Sequence, residues 1–196
     1  MRKQDVKDAR KRKIIVLVLA GLMVFSVFGA VFYGFSDPYG SVRYKGIAFT
    51  RTQNGWMAKI DKQPMSFLNH PLDLEYMNVT QDIVQRIKNP VEIDTTGSLN
   101  DPANETIALL QYDLARTLEK QGVYSIAGAL ESSSYNIPVI TCLDATPQKP
   151  VILIKTANET MIRLEQDCII LQGPTPYDLA AASERLLYIM LGVMDE

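Results

Sequence analysis

Histidine, tryptophan and cysteine are nearly missing from this chain of 196 residues, which holds one His, one Trp and two Cys. The single histidine, His70 in Asn69-His70-Pro71, has no metal-ligand spacing around it, and beside a proline it reads as a surface loop residue. The chain also lacks GxxxxGK[ST], GxGxxG after a strand, HExxH, GxSxG, CxxC and an EF-hand loop. The common signatures for phosphate, dinucleotide, zinc, calcium and ester chemistry are therefore absent, and no cofactor is implied.

A second absence is informative. No charged residue occurs between Lys13 and Asp37. Residues 14–34, IIVLVLAGLMVFSVFGAVFYG, form one apolar run. About 20 such residues at about 1.5 Å rise cross a hydrocarbon core of about 30 Å, and only a helix satisfies its backbone there alone. The run is longer than the h-region of a cleaved signal peptide, about 7–15 residues, and Phe28 is bulky where a cleavage site after Ala30 needs a small residue. The sequence thus predicts an uncleaved transmembrane anchor over 14–34, in contact with membrane lipid. Its small residues Gly21, Ser26 and Gly29 permit a neighbouring helix to approach.

Charge gives that anchor a direction. Residues 1–13 carry seven Lys/Arg and two Asp, a net of +5. Taking these from the totals of 20 Lys/Arg and 22 Asp/Glu leaves 13 and 20, a net of −7 for the rest. A basic flank stays cytoplasmic, so residues 1–13 are expected inside the cell and the remainder outside, at the cell surface. An acidic domain argues against nucleic-acid binding. Residues 35–45 read as a short polar linker, and 46–196 as one extracytoplasmic domain.

The two cysteines, Cys142 and Cys168, both fall in that outer domain, in the apolar runs VITCLD and DCIILQ. An oxidising compartment favours a disulfide between them. Three N-x-[ST] sequons, at Asn78, Asn104 and Asn158, lie on the same side and are candidate glycosylation sites where the host has the machinery. As plain structure, Asn104 and Asn158 read as turn or capping residues.

Periodicity predicts an α/β or α+β domain with a single mixed sheet and about three helices. Asn54-Gly55 between alternating runs predicts a type I′ hairpin, with Met65–Leu68 as a third short strand. A helix is expected over Thr80–Lys88. Strands follow at Val91–Thr95, Val123–Leu130, Pro138–Leu143 and Ile169–Gln172, and Val151–Lys155 is expected to pair with Met161–Leu164 as a second hairpin. The apolar stripe Ile107, Leu110, Leu114 and Leu118 predicts a helix over Pro102–Gln121 with Asp101 at its N-cap. Thr175 caps a closing helix to Leu191, with Pro176 at the first position.

Two aspartates end strand-like runs, Asp94 in VEIDTT and Asp144 in CLDATP. In open α/β sheets ligands bind beyond the carboxyl ends of strands. Were these strands parallel neighbours, the two carboxylates, with Thr95, Thr96 and Thr146, would suit a hard cation or a hydrolytic site. The plainer reading is that they cap turns. The sequence therefore predicts a membrane-anchored binding or structural envelope protein, or an accessory subunit that meets a protein partner. The alternative is a membrane-tethered hydrolase or metal-dependent enzyme using Asp94 and Asp144.

Overall fold

A computed structural model of the chain describes residues 15–24, 40–88, 90–132, 134 and 136–195. The chain divides into two compact units, Met1–Ser41 and Val42–Glu196. In the first, helix α1 covers residues 15–24. The rest of the apolar run 14–34, and the basic tail 1–13, lie outside the described residues. Among the described residues no helix is long and apolar enough to cross a membrane.

The second unit is a mixed α/β domain built on two sheets rather than the single sheet expected. Strands β1 (Ser41–Tyr44), β2 (Ile47–Thr52), β3 (Gly55–Ile60) and β4 (Gln63–Phe67) form a meander in that order. Strand β1 occupies the end of the stretch read as linker, because Tyr44 buries its ring and donates from its hydroxyl to Glu75. Tight two-residue turns let these strands pair with their sequence neighbours. Lys45 and Gly46 have φ of 45° and 87°, and Asp61 and Lys62 have 48° and 67°, the positive pairs that a type I′ turn needs.

The Asn-Gly hairpin exists, but its turn differs from the expected one. Thr52 pairs with Gly55, so Gln53 and Asn54 make the connection, and the positive φ of 138° belongs to Gly55. A Cβ at Gly55 would stand 2.1 Å from the Phe67 carbonyl oxygen. Glycine is required there by the close approach of β4.

The second sheet has the order β5-β6-β8-β7, with β5 (Asp94–Thr96), β6 (Val151–Thr156), β7 (Met161–Glu165) and β8 (Cys168–Gly173). The first three of that order run parallel, and β7 is antiparallel to β8. The expected β6–β7 hairpin is therefore replaced by a β7–β8 hairpin, with β8 inserted between β6 and β7. Burial explains the choice: every residue of Cys168–Gly173 is buried, so this strand belongs at the sheet's centre. Beyond β5, residues 124–130 run alongside it through isolated bridges at Tyr124 and Ala127, and Val139 bridges Ala129 in turn. The two strands expected at 123–130 and 138–143 are thus irregular. The second ends in a 3-10 turn over Cys142–Asp144.

Helices α2 (Gln81–Ile87), α3 (Asn104–Lys120) and α4 (Pro176–Met190) pack on this framework. The main core joins Phe49 and Phe67 of the meander to Ile152, Ile154, Ile169 and Leu171 of the second sheet and to Leu179 and Leu186 of α4. The opposite face of β6 and β8 buries Val151, Leu153, Cys168 and Ile170 in a smaller cluster with Ile140. That cluster contains the expected disulfide, Cys142–Cys168. Helix α3 starts later than expected. Asp101 does not cap it; its carboxylate accepts from the N–H and hydroxyl of Thr156 and from Ala103 N–H, tying the loop after β5 to the end of β6.

Candidate functional site

Each residue singled out by sequence has a structural setting of its own, although Lys149 bears on both aspartates, in contact with Asp94 and through its charge on Asp144. Asp94 opens β5 instead of ending a strand, opposite Val151 at the start of β6. It therefore sits at the amino end of the parallel strands, away from the carboxyl-end crevice where α/β sheets bind ligands. Its carboxylate is 2% exposed, contacts Lys149 Nζ at 2.9 Å and accepts from Ile126 N–H at 3.1 Å. Burial, with Glu92 adding to it, pushes its carboxyl up against the pull of Lys149. Asp144 is exposed and closes a capping box with Thr141, accepting from its N–H at 2.7 Å and its hydroxyl at 2.9 Å. Those bonds hold its carboxyl down. Both carboxylates are engaged by this chain's own groups. Among the described residues, no group of three or more His, Cys, Asp or Glu could hold a metal ion.

His70 is not a surface residue: it is 3% exposed. Pro71 starts a 3-10 turn over Pro71–Leu74, and His70 caps it through Nδ1, which accepts from Leu72 N–H at 3.2 Å. The turn folds the imidazole inward among Trp56, Phe49 and Tyr44, with ring centroids at 4.6, 5.0 and 6.3 Å. Nε2 is buried with no hydrogen-bond partner among the described residues. Desolvation pushes the imidazole pKa down, with Asp73 opposing. The asparagines of the three sequons, Asn78, Asn104 and Asn158, are exposed. Asn104 also ties the helix start, donating from Nδ2 to the Leu99 carbonyl at 3.0 Å.

A concave surface lies elsewhere, between α3 and the outer edge of the second sheet. A cavity of 410 Å³ is bounded by α3 residues Ile107, Ala108, Gln111, Tyr112 and Ala115, by the edge residues Ser125, Ala127 and Ala129, and by Leu99 and Ile137. A second cavity of 310 Å³ continues it toward Val123 and Tyr124 and shares Tyr112, Ala115 and Ser125. The two form one groove. Small residues make its floor, because alanines and Gly128 there leave space between helix and sheet. Gln111 is buried in it and donates from Nε2 to the Gly128 carbonyl at 3.0 Å.

Tyr112 and Tyr124, which line the groove, are 62% and 64% exposed, and Arg116 and Glu119 line it beside them. Its floor includes the stretch that runs alongside β5. Residues 124, 126 and 128 direct their backbone toward β5, as in Thr95 N–H to Ile126 O and Gly128 N–H to Thr95 O. Ser125, Ala127 and Ala129 therefore face outward. Ala129 is covered by Pro138 and Ile140. Among the described residues, the N–H and C=O of Ser125 and Ala127 have no backbone partner, and the buried Ser125 hydroxyl has none either.

No family model matches the chain, and no curated protein or solved structure is significantly similar to it. Sequence reading missed this groove. The available signal was Leu109 and Tyr112, two large apolar residues on α3 outside its buried stripe. The groove's floor left no signal, since it depends on which strand lies beside which.

Proposed function

We propose that this chain is a membrane-tethered, non-enzymatic binding protein. The apolar segment 14–34 holds the domain outside the cytoplasm, and the domain docks a protein partner in the groove beside α3, as an envelope protein or an accessory subunit of a membrane complex. The observation that carries this reading is the groove beside α3, along which the rings of Tyr112 and Tyr124 are exposed. Contiguous exposed apolar surface on a folded domain marks interaction sites. The Cys142–Cys168 disulfide is consistent with an oxidising compartment. The enzymatic alternative finds little support, because Asp94 is neutralised by Lys149 and Asp144 serves as a cap.

The test places a photo-crosslinking residue at Tyr112, and separately at Tyr124, in the full-length chain within its own membranes. A control position is Lys59, exposed on the meander. The expected result is a discrete adduct with the same partner protein from both groove positions and none from Lys59. Adducts that appear equally from Lys59, or no adduct from either groove position in a folded chain, overturn the reading.

A further inference from the structure

We infer that the turn over Pro71–Leu74 is an acid-operated latch. A second proton on the His70 ring displaces the cap that holds the turn, and residues 70–74 swing off the core while the chain on either side stays fixed. The inference is independent of what the groove beside α3 binds.

The first observation is the chemistry of the ring. Nδ1 accepts from Leu72 N–H, so the neutral imidazole carries its proton on Nε2. Only Nδ1 has a lone pair left for another. A proton there turns the acceptor into a donor that faces Leu72 N–H, so the charged ring and the capped turn exclude each other. Nε2 adds no hold of its own, being buried without a partner among the described residues.

The second observation is where the segment is fastened. Before it, Asn69 is held by Glu184 and Tyr188 of α4. After it, Glu75 accepts from the Tyr44 hydroxyl at 3.0 Å, and the Met77 carbonyl accepts from Arg185 Nε at 3.1 Å. Between these anchors the turn is closed by its own bonds, Asp73 N–H to the His70 carbonyl at 2.9 Å and Leu72 N–H to Nδ1 at 3.2 Å. Leu72 and Asp73 already face solvent, and only His70, Pro71 and Leu74 are buried. Opening therefore uncovers a few side chains and leaves both sheets and α4 in place.

The third observation is the charge around the ring. Asp73 favours the cation, but it stands exposed on the turn itself and moves out with the ring. Lys45 lies over the Tyr44 ring and Arg51 over the Trp56 ring, at 5.7 and 5.8 Å from their centres. From α4 come Arg185, 2% exposed, and Glu184, whose carboxylate is engaged by Leu68 and Asn69. Glu75 is engaged by Tyr44. A charged imidazole thus gains nothing by staying in its cage and regains water by leaving it.

Trp56 is the only tryptophan and His70 the only histidine, so each reports on the cage without interference. The test takes the full-length protein in mild detergent from pH 7.5 to 5.5. It follows Trp56 emission together with amide hydrogen exchange, corrected for the intrinsic pH dependence of exchange. One proton taken up by the open form alone, at the ordinary pKa of 6.5, raises the open population by about tenfold over that range. Exchange across residues 70–74 is expected to rise by about that factor, with a reversible change in Trp56 emission. Exchange in β6 and β8 and far-ultraviolet circular dichroism are expected to stay unchanged. His70→Asn keeps an oxygen acceptor for Leu72 N–H and does not titrate, so both signals are expected to be flat in it. A response as large in His70→Asn overturns the latch. The parent chain alone also decides the matter. Exchange that rises equally in β6 and β8 means global unfolding, and altered Trp56 emission without faster exchange at residues 70–74 means that the ring is charged inside a closed cage; either result overturns it.

Discussion

Glu184 holds Asn69 twice: one carboxylate oxygen accepts from both the main-chain N–H and the side-chain amide of Asn69, each at 2.8 Å. The other oxygen accepts from Leu68 N–H. Two tyrosines complete the clamp, since Tyr177 donates to Asn69 Oδ1 and Tyr188 donates to Asn69 O at 2.7 Å. Positions 177, 184 and 188 recur on one face of α4, so a single helix fixes the segment that leaves the meander.

Removing this carboxylate is expected to destabilise the whole domain. Glu184→Ala strands the N–H groups of Leu68 and Asn69, and an unmade hydrogen bond in a half-buried site costs more than a made one contributes. The expected loss is about 2–3 kcal/mol, read by chemical denaturation. Tyr177→Phe removes one bond from an exposed ring, and is expected to cost less than about 1 kcal/mol. Equal losses for the two variants would contradict the assignment of Glu184 as the centre of the clamp.

His70 gives the domain an acid-sensitive term. Its pKa is pushed below the ordinary 6.5 because charging the ring means placing a cation in the cage of Trp56, Phe49 and Tyr44. The unfolded chain therefore binds a proton near pH 6.5 that the folded chain refuses. Stability contributed by neutral His70 is full above that pH and is lost as pH falls below it toward the depressed folded value. Glu184 acts oppositely: burial raises its pKa, so its protonation favours the folded state as pH falls. Thermal melts of the parent chain and of His70→Phe between pH 7.5 and 5.5 separate the two groups, since the substitution removes the histidine and leaves Glu184 in place. A falling Tm is expected for the parent chain, and a flatter profile for His70→Phe. A parallel fall in both would assign the acid sensitivity to other groups.

Gly55 tests the meander. Alanine there meets the Phe67 carbonyl at 2.1 Å and must also adopt a φ of 138°. Gly55→Ala is expected to cost more than about 2 kcal/mol. Asn54→Ala, in the turn itself and exposed, is expected to cost less than about 1 kcal/mol, although Asn54 is the residue that the hairpin motif emphasises.

That contrast shows where the sequence was legible. Helices α2, α3 and α4, the Thr175-Pro176 start, the first hairpin and the cysteine pair all follow from local periodicity and residue chemistry. Strand order did not. Val151–Lys155 and Met161–Leu164 look like a hairpin because they are neighbours in sequence. Only the full burial of Cys168–Gly173 shows why β8 intervenes, and burial is a property of the assembled sheet. The same dependence hid the groove beside α3 and turned His70 inward.

The disulfide closes a span of 26 residues between Cys142 and the central strand residue Cys168. Chain-entropy estimates for such a loop give about 3.5 kcal/mol. Reduction, or Cys142→Ser with Cys168→Ser, is expected to lower unfolding stability by about that amount. Because the bond lies on the face of β6 and β8 opposite the main core, far-ultraviolet circular dichroism at low temperature is expected to stay unchanged. Loss of that signal on reduction would mean that the small cluster around Ile140 organises the sheet.

Asp94 and Lys149 provide the sharpest test of whether the buried carboxylate is structural. Lys149 reaches Asp94 and Glu92 at 2.9 Å each, and these contacts raise its own pKa. Lys149→Met leaves Asp94, 2% exposed, as a buried charge beside Glu92 with only the Ile126 N–H to support it. Removing one partner of a buried pair costs about 3–5 kcal/mol; Lys149 is partly exposed, so about 2–3 kcal/mol is expected. The sign of the pH dependence follows. In Lys149→Met the folded pKa of Asp94 rises further above its unfolded value, so the variant regains stability as pH falls through that raised value. The double variant Asp94→Asn with Lys149→Met is expected to recover most of the loss at pH 7, because no buried charge remains. Those three melting profiles would identify a structural ion pair at the amino end of the sheet. If Asp94→Asn alone were more stable than the parent chain, Asp94 would instead be a residue retained at a cost to the fold, and the enzymatic reading would return.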